Sequence, residues 1–459
     1  QRKSPIHLPG HRHAMNSLMA TTQRHAFAAH SAKRMCSRSP SSVAMYLRAA
    51  PACAGPRPGS HAAPGRIFGR AARPAGLIPG SGTSGPHPHP HLAGRRAFSH
   101  SPVTAQASAS KYQAEIDQGI EAVKLACALC QKVQASLAAD ETETKGDTSP
   151  VTVADYGAQA LVSWALQRAS PDAPISLVAE EDSESLRGDV DPAPLLRARI
   201  TELVNEVIAG SGGASLTEEE VLEAIDRGAS PGGDKGRHWV LDPIDGTRGF
   251  VGGRQYAVCL GMLDGGEPVL GVLGCPNLPQ ASLAAAPADV LDSGAVALAA
   301  REDVGVIFSA GKGGGAWVQP VASGPEARQP IRVDDVTDPA GARFMESYES
   351  RHSAHGVSAA AAAALGITAP PLRLDSQTKY GALARGDASM YMRFPPEGYR
   401  EKIWDHAAGA VVITEAGGVV TDASGAPLDF GKGRWLDIDR GIIAANPALH
   451  PQLLDAVNL

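Results

Sequence analysis

The stretch that decides the fold is His238-Trp-Val-Leu-Asp-Pro-Ile-Asp-Gly-Thr-Arg-Gly-Phe250, in which an apolar run leads into two carboxylates. Trp239 to Leu241 predicts a buried strand, because a short apolar run bounded by turn residues is typical of a sheet interior. Pro243 lacks a backbone donor, so we expect the strand to stop there instead of continuing in the middle of a sheet.

Asp242 and Asp245 are therefore expected at the end of that strand. Gly246 permits a tight turn, and Thr247 is expected to cap a short helical turn after it. Rigid carboxylates next to free amides suit hard cations and phosphate. A solvated acidic turn is the alternative for an Asp-x-x-Asp pattern taken alone, so the rest of the chain has to decide.

Charge divides the chain unevenly. Residues 1–112 contain no acid, and the first is Glu115. Residues 1–110 hold 14 Lys and Arg, so simple charge counting leaves the remainder at about −20. Such a body is unsuited to coating nucleic acid, but it is compatible with carboxylates gathered around cations.

The acid-free segment, residues 1–108, has the Arg, Ala, Ser and Pro content of an organellar transit peptide, and we expect a disordered leader there. A chloroplast address is favoured by the stretch Val103–Ala107, whereas Arg95–Ser99 resembles a mitochondrial signal. No apolar run is long enough for a membrane span, so we expect no membrane partner.

The pair Cys127 and Cys130 resembles a redox motif. Both nevertheless fall on one face of a predicted helix with Ile116, Ile120 and Val123, which favours thiols that pack in the core. A redox-regulated switch remains the alternative.

Strand and helix signals alternate through the body, which predicts an α/β (layered α+β) fold. We expect an N-terminal lobe over residues 109–300 and a C-terminal lobe over 301–459. The first contains a helical insertion at about 185–237, in which Thr217 and Glu220 match a capping box. Two further acids join the first pair. Glu180 follows the predicted strand Ile175–Ala179, and Asp405 lies in the segment from Glu401 to Gly409, which we expect to begin a helix. Oxygen ligands of this kind favour Mg²⁺, in two or three sites.

Three motifs occur in a fixed order: Glu180-Glu-Asp182, Asp242-Pro-Ile-Asp-Gly-Thr247 and Trp404-Asp-His-Ala-Ala-Gly409. Together they resemble the inositol monophosphatase superfamily, over a span from about residue 111 to the C-terminus. The resemblance implies an inositol monophosphatase-like αβαβα sandwich. It also implies a magnesium-dependent phosphatase inhibited by Li⁺.

Further motifs resemble the branch of that superfamily that acts on bisphosphate nucleotides. They are Ser149–Thr152, Arg248–Phe250, Asp375–Tyr380 and Glu401–His406. This implies hydrolysis of the 3′-phosphate of 3′-phosphoadenosine 5′-phosphate to AMP and phosphate by metal-activated water. The 5′-phosphosulfate analogue and inositol 1,4-bisphosphate are implied as further substrates.

The resemblance also assigns roles to residues. The implied metal ligands are Glu180, Asp242, the Ile244 carbonyl, Asp245 and Asp405. The implied pair that activates the water is Asp147 with Thr247. The implied substrate contacts are Gly246, Thr247, His352, Ser376, Lys379 and Arg393. Asp155 is expected on a helix surface.

Two other functions stay open. One is an inositol or sugar monophosphatase with the same metal site, and the other is a redox-regulated nucleotide sensor. We expect a small-molecule substrate as the partner, and a monomer.

Overall fold

The computed structural model describes residues 110–139, 150–284, 303–349 and 353–459. The predicted leader lies outside them. Within the described residues, strands β1 to β7 form one sheet in chain order, with β1 parallel to β2 and every later neighbour antiparallel. The strands are β1 (Leu177–Ala179), β2 (Arg237–Asp245), β3 (Ala257–Asp264), β4 (Glu267–Pro279), β5 (Val304–Gly311), β6 (Ala316–Pro320) and β7 (Gln329–Ile331).

A second sheet has the order β12-β14-β10-β8-β9, and β11 pairs with β13 in a small ribbon. These strands are β8 (Phe344–Ser347), β9 (Leu372–Leu374), β10 (Met390–Arg393), β11 (Glu401–Lys402), β12 (Val419–Asp422), β13 (Trp435–Leu436) and β14 (Ile442–Ala445). The first sheet therefore continues past residue 300, where we predicted a boundary between lobes, and the second sheet begins only at Phe344.

Helices complete five layers. The helices are α1 (Gln113–Ala139), α2 (Pro150–Ala169), α3 (Ala193–Gly210), α4 (Glu218–Asp226), α5 (Thr247–Val251), α6 (His355–Ala364), α7 (Thr378–Ala384), α8 (Ala407–Glu415) and α9 (His450–Val457). Helices α1 and α2 pack on the outer face of the first sheet. Helices α7 and α8 fill the space between the two sheets, and α6 and α9 cover the far face of the second.

The layer order is αβαβα, so the predicted fold class is confirmed. Apolar burial explains it, because α8 has apolar residues all round its surface and is enclosed on both sides. The predicted insertion is helical, with α3 and α4. Helix α4 begins with the expected capping box of Thr217 and Glu220. Within the described ranges, no helix is both long and apolar enough to cross a membrane.

Two local predictions are wrong. Strand β2 does not stop at Pro243 but runs on to Asp245, with a shift in its pairing to β3 between Asp242 and Asp245. A bulge of this kind tolerates the missing proline donor inside a sheet. The segment from Glu401 is not the start of a helix. It forms the short strand β11 and then a 3₁₀ turn that contains Asp405.

Candidate active site

The acids meet because β1 and β2 run in parallel. Ala179 pairs with Leu241, so Glu180 and Asp242 follow side by side at the same edge of the sheet. The bulge that carries Pro243 then places Asp245 beyond them. Gly246 adopts a φ of 88°, which a residue with a side chain disfavours. A Cβ at Gly246 would also lie 2.9 Å from the Cβ of Ser376, so glycine permits the close approach of the two motifs.

One cavity of about 460 Å³ collects these groups. All ten predicted site residues that the structure describes line it: Glu180, Asp242, Ile244, Asp245, Gly246, Thr247, Ser376, Lys379, Arg393 and Asp405. The other two, Asp147 and His352, lie outside the described residues. The structure thus brings the described set together, while the roles of individual residues stay predictions.

The carboxylates destabilise one another in their charged forms. Burial, and then repulsion from Glu180, Asp245 and Asp405, raises the pKa of Asp242 well above its ordinary range. Burial and repulsion from Glu401 and Asp245 do the same to the pKa of Asp405. Burial, then Glu181 and Asp245, raises the pKa of Glu180 to about 7.

This acidic cluster fits a divalent cation. Asp242 is only 3% exposed, and its buried Oδ1 has no hydrogen-bond partner among the described residues. A buried charged oxygen without a partner is costly unless a cation neutralises it. Several carboxylate oxygens close to the Ile244 carbonyl form the hard donor set that Mg²⁺ prefers. The residues present therefore fit the implied metal.

Positively charged side chains line the same cavity, next to the acids. Arg393 donates through Nε to Glu401 Oε1 at 2.8 Å and through Nη2 to Oε2 at 3.0 Å. His406 Nε2 lies 3.0 Å from the same Oε2, and its Nδ1 lies 2.8 Å from the Tyr380 hydroxyl. Although burial opposes it, Arg393 and His406 lower the pKa of Glu401.

Glu401 is for that reason not a metal ligand in our interpretation. Its oxygens lie near Asp405 and His406, in a group whose ligand atoms fall within 4.8 Å of one another. Both oxygens of Glu401, however, are already occupied by Arg393 and His406. A carboxylate satisfied in this way gains little from binding a cation.

Lys379 is buried and positive. Its Nζ donates to the carbonyls of Ser376 at 2.7 Å and Leu374 at 3.2 Å. Burial, opposed by the charge of Asp245 and helped by that of Arg393, lowers the pKa of Lys379 to about 8. Carbonyl acceptors leave the net positive charge uncancelled, so Lys379 can attract an anion.

Thr247 does not cap α5 as expected. Gly246 occupies the cap position, and Thr247 Oγ1 lies 3.5 Å from the Ile244 carbonyl oxygen. Its predicted partner Asp147 lies outside the described residues, so the pairing stays a prediction.

Sequence reasoning missed several contributors. Asp155 was expected on a helix surface and lies half-buried on α2. Burial, and then the charges of Glu181 and Glu180, raises its pKa well above its ordinary value. His406 and Gln377 lay inside quoted motifs without a role. The sequence signal for His406 is its position next to the predicted metal ligand Asp405, and the signal for Gln377 is its position next to the predicted substrate contact Ser376.

An acidic cluster and two buried cations that line one cavity fit the chemistry of one class of protein, the phosphatases that bind a divalent cation. Comparison with known proteins then gives the family. The model of the Inositol monophosphatase family matches residues 112–458. The chain belongs to this family.

Relatives are found in plants. A "3'(2'),5'-bisphosphate nucleotidase" from Oryza sativa is 52% identical over 356 residues, which cover 77% of this chain and 96% of the relative. "3'(2'),5'-bisphosphate nucleotidase 1" from Arabidopsis thaliana is 52% identical over 349 residues, with 75% and 96% covered. A solved inositol monophosphatase from Zymomonas mobilis is 19% identical, with a TM-score of 0.47 and coverage of 76% and 100%.

Proposed function

We propose that this chain hydrolyses the 3′-phosphate of 3′-phosphoadenosine 5′-phosphate, giving AMP and phosphate. The observation that carries the proposal is the pairing of two unlike phosphate-binding regions in one cavity. The acidic cluster fits a cation-bound phosphate that is cleaved, and Lys379 with Arg393 fits a phosphate that is retained. The names of the plant relatives support the same substrate class.

Glu180, Asp242, Asp245, Asp405 and the Ile244 carbonyl would hold Mg²⁺, in two or three sites. When bound, the metal polarises the phosphoryl oxygens and offsets the charge that develops on the leaving oxygen.

The remaining steps belong to side chains of this chain. Lys379 Nζ and the Arg393 guanidinium hold the phosphate that stays on the product, and so orient the 3′-phosphate toward the acids. In the predicted pair, Asp147 takes the proton from the attacking water and the Thr247 hydroxyl orients it. His352 and Ser376 complete the predicted nucleotide contacts.

The full chain with Mg²⁺ should release phosphate from 3′-phosphoadenosine 5′-phosphate, and Li⁺ should inhibit the release. The test compares kcat/KM for this nucleotide with kcat/KM for its 5′-phosphosulfate analogue, inositol 1,4-bisphosphate and inositol 1-phosphate. Faster turnover of inositol 1-phosphate would contradict the proposal.

The inositol or sugar monophosphatase alternative is less well supported, because such substrates carry one phosphate. They would leave Lys379 and Arg393 without a second phosphate to bind. The redox-sensor alternative is weakened by burial. Cys127 and Cys130 are both fully buried free thiols, and burial raises the pKa of each well above its ordinary value. Such thiols form little thiolate.

Residues 1–108 are proposed to direct the chain to the chloroplast, and the alternative is the mitochondrion. Fusion of this segment to a fluorescent protein in plant cells tests the choice. A fusion protein that stays outside both organelles would contradict both.

We propose a monomer, which light scattering of the purified chain tests.

A further inference from the structure

Two buried glutamine side chains hold the turns that carry the predicted metal ligands. Gln159, on α2, is fully buried. Its Nε2 donates to the Glu181 carbonyl at 2.7 Å, and its Oε1 accepts from the Glu181 backbone N–H at 3.0 Å. Nε2 also donates to the Ile225 carbonyl at 2.8 Å. One amide thus fixes both backbone groups of the residue next to Glu180.

Gln377 holds a second turn, the one that contains Asp405. Its side chain is buried, with Nε2 donating to the Trp404 carbonyl at 2.7 Å and Oε1 accepting from the Gly409 N–H at 2.9 Å. These two contacts span the turn that contains Asp405. The backbone N–H of Gln377 meanwhile donates to Asp245 Oδ2 at 2.5 Å. A single residue therefore joins Asp245 to the Asp405 turn.

The positions of Gln159 and Gln377 each need a neutral side chain that both donates and accepts hydrogen bonds. A carboxylate there would add negative charge beside acids that already repel one another. An apolar side chain would leave buried carbonyl and N–H groups without partners, which favours local rearrangement of the turn. The amide of glutamine meets both requirements, and its length spans from α2 or from the start of α7 to the turn.

We propose that Gln159 and Gln377 are positioning residues that set the spacing of Glu180, Asp245 and Asp405 for binding Mg²⁺. The proposal rests on the magnesium site of the proposed function. Neither side chain contacts the metal in this proposal, since each acts through the backbone of a ligand-bearing turn.

The chain offers a matched control in Gln319, on β6. Its side chain is also buried, and it also clamps a turn, by donating to the Ser323 carbonyl at 3.1 Å and accepting from Arg328 Nε at 2.9 Å. None of these residues lines the cavity. Loss of Gln319 should therefore weaken the fold without changing the acids.

The experiment titrates Mg²⁺ calorimetrically into the full chain and into Q159M, Q377M and Q319M. Loss of a group that orients metal ligands typically weakens metal binding by about 10- to 100-fold, which we expect for Q159M and Q377M. Q319M should keep wild-type affinity even if its Tm falls. Wild-type affinity in both Q159M and Q377M, or an equal loss in Q319M, would overturn the proposal.

Circular dichroism and thermal unfolding establish that each variant is folded. If a Met variant does not fold, Q159N or Q377N replaces it, because asparagine keeps an amide but is one methylene too short to make the same contacts. The Asn variants should show the same loss of Mg²⁺ affinity, and wild-type affinity in them would equally overturn the proposal. No nucleotide enters the titration, so failure of the proposed substrate leaves this result interpretable.

Discussion

Asp242 and Glu401 are both almost fully buried carboxylates in the same site, and they differ in what surrounds them. Arg393 donates to both oxygens of Glu401, and His406 Nε2 lies 3.0 Å from one of them; although burial opposes it, these contacts lower the pKa of Glu401. Asp242 has an oxygen without a partner in the described structure, and its pKa is raised by burial and by Glu180. The fold itself therefore neutralises the charge of Glu401, whereas the charge of Asp242 needs an added cation.

The largest expected effect comes from removing the charge that lacks a partner. Asp242→Asn should lower kcat/KM by about 10³-fold or more, since metal stabilisation of the transition state is worth several kcal/mol. The same change removes repulsion among the acids, so the variant without Mg²⁺ should be no less stable than wild type. Steady-state kinetics and thermal unfolding with and without Mg²⁺ measure both. Retained activity would show that Asp242 does not bind the metal.

Removing Arg393, which compensates the charge of Glu401, should lower the stability of the fold. Arg393→Met leaves Glu401 buried beside His406 alone, and we expect the free energy of unfolding to fall by about 3–5 kcal/mol. Arg393→Met combined with Glu401→Gln should recover most of that loss, while nucleotide binding stays weak. Urea unfolding and KM measure the two effects. A double variant as unstable as Arg393→Met would contradict the pairing.

Lys379 tests whether the other cation in the cavity serves substrate binding. Lys379→Met should raise KM for the bisphosphate nucleotide by about 10- to 100-fold, because a hydrogen bond to a charged group is worth about 1.5–3 kcal/mol. For inositol 1-phosphate the same variant should change KM much less. Equal effects on both substrates would show that Lys379 does not recognise the second phosphate.

The smallest expected effect is the dependence of Tm on pH when Mg²⁺ is absent. The pKa of Glu180 is raised from 4.5 to about 7, and those of Asp242 and Asp405 are raised as well. The folded chain therefore binds more protons than the unfolded chain, so Tm should rise as pH falls from about 7 to about 4.5. Saturating Mg²⁺ should flatten the slope. Thermal unfolding in EDTA and in Mg²⁺ measures it, and a Tm that falls over this range in EDTA would contradict the expected repulsion.

Local patterns in the sequence were sufficient for several of the elements and for naming acids that line the cavity. The apolar run before Asp242, the Gly246 turn and the capping box at Thr217 all have short-range causes, and each predicted the observed element. Pro243 misled us because a local rule ends strands at proline, whereas pairing with β3 tolerates it through a bulge.

The order of motifs in the sequence determined the family and the chemical type of the site, because acids, glycines and buried strands carry that information locally. Tertiary structure alone decided which charges are compensated. Arg393, Glu401 and His406 are joined by contacts between β10, β11 and the start of α8, and Gln377 reaches Asp245 across 132 positions of chain. Such pairings depend on distance in space, and no short-range pattern encodes that distance.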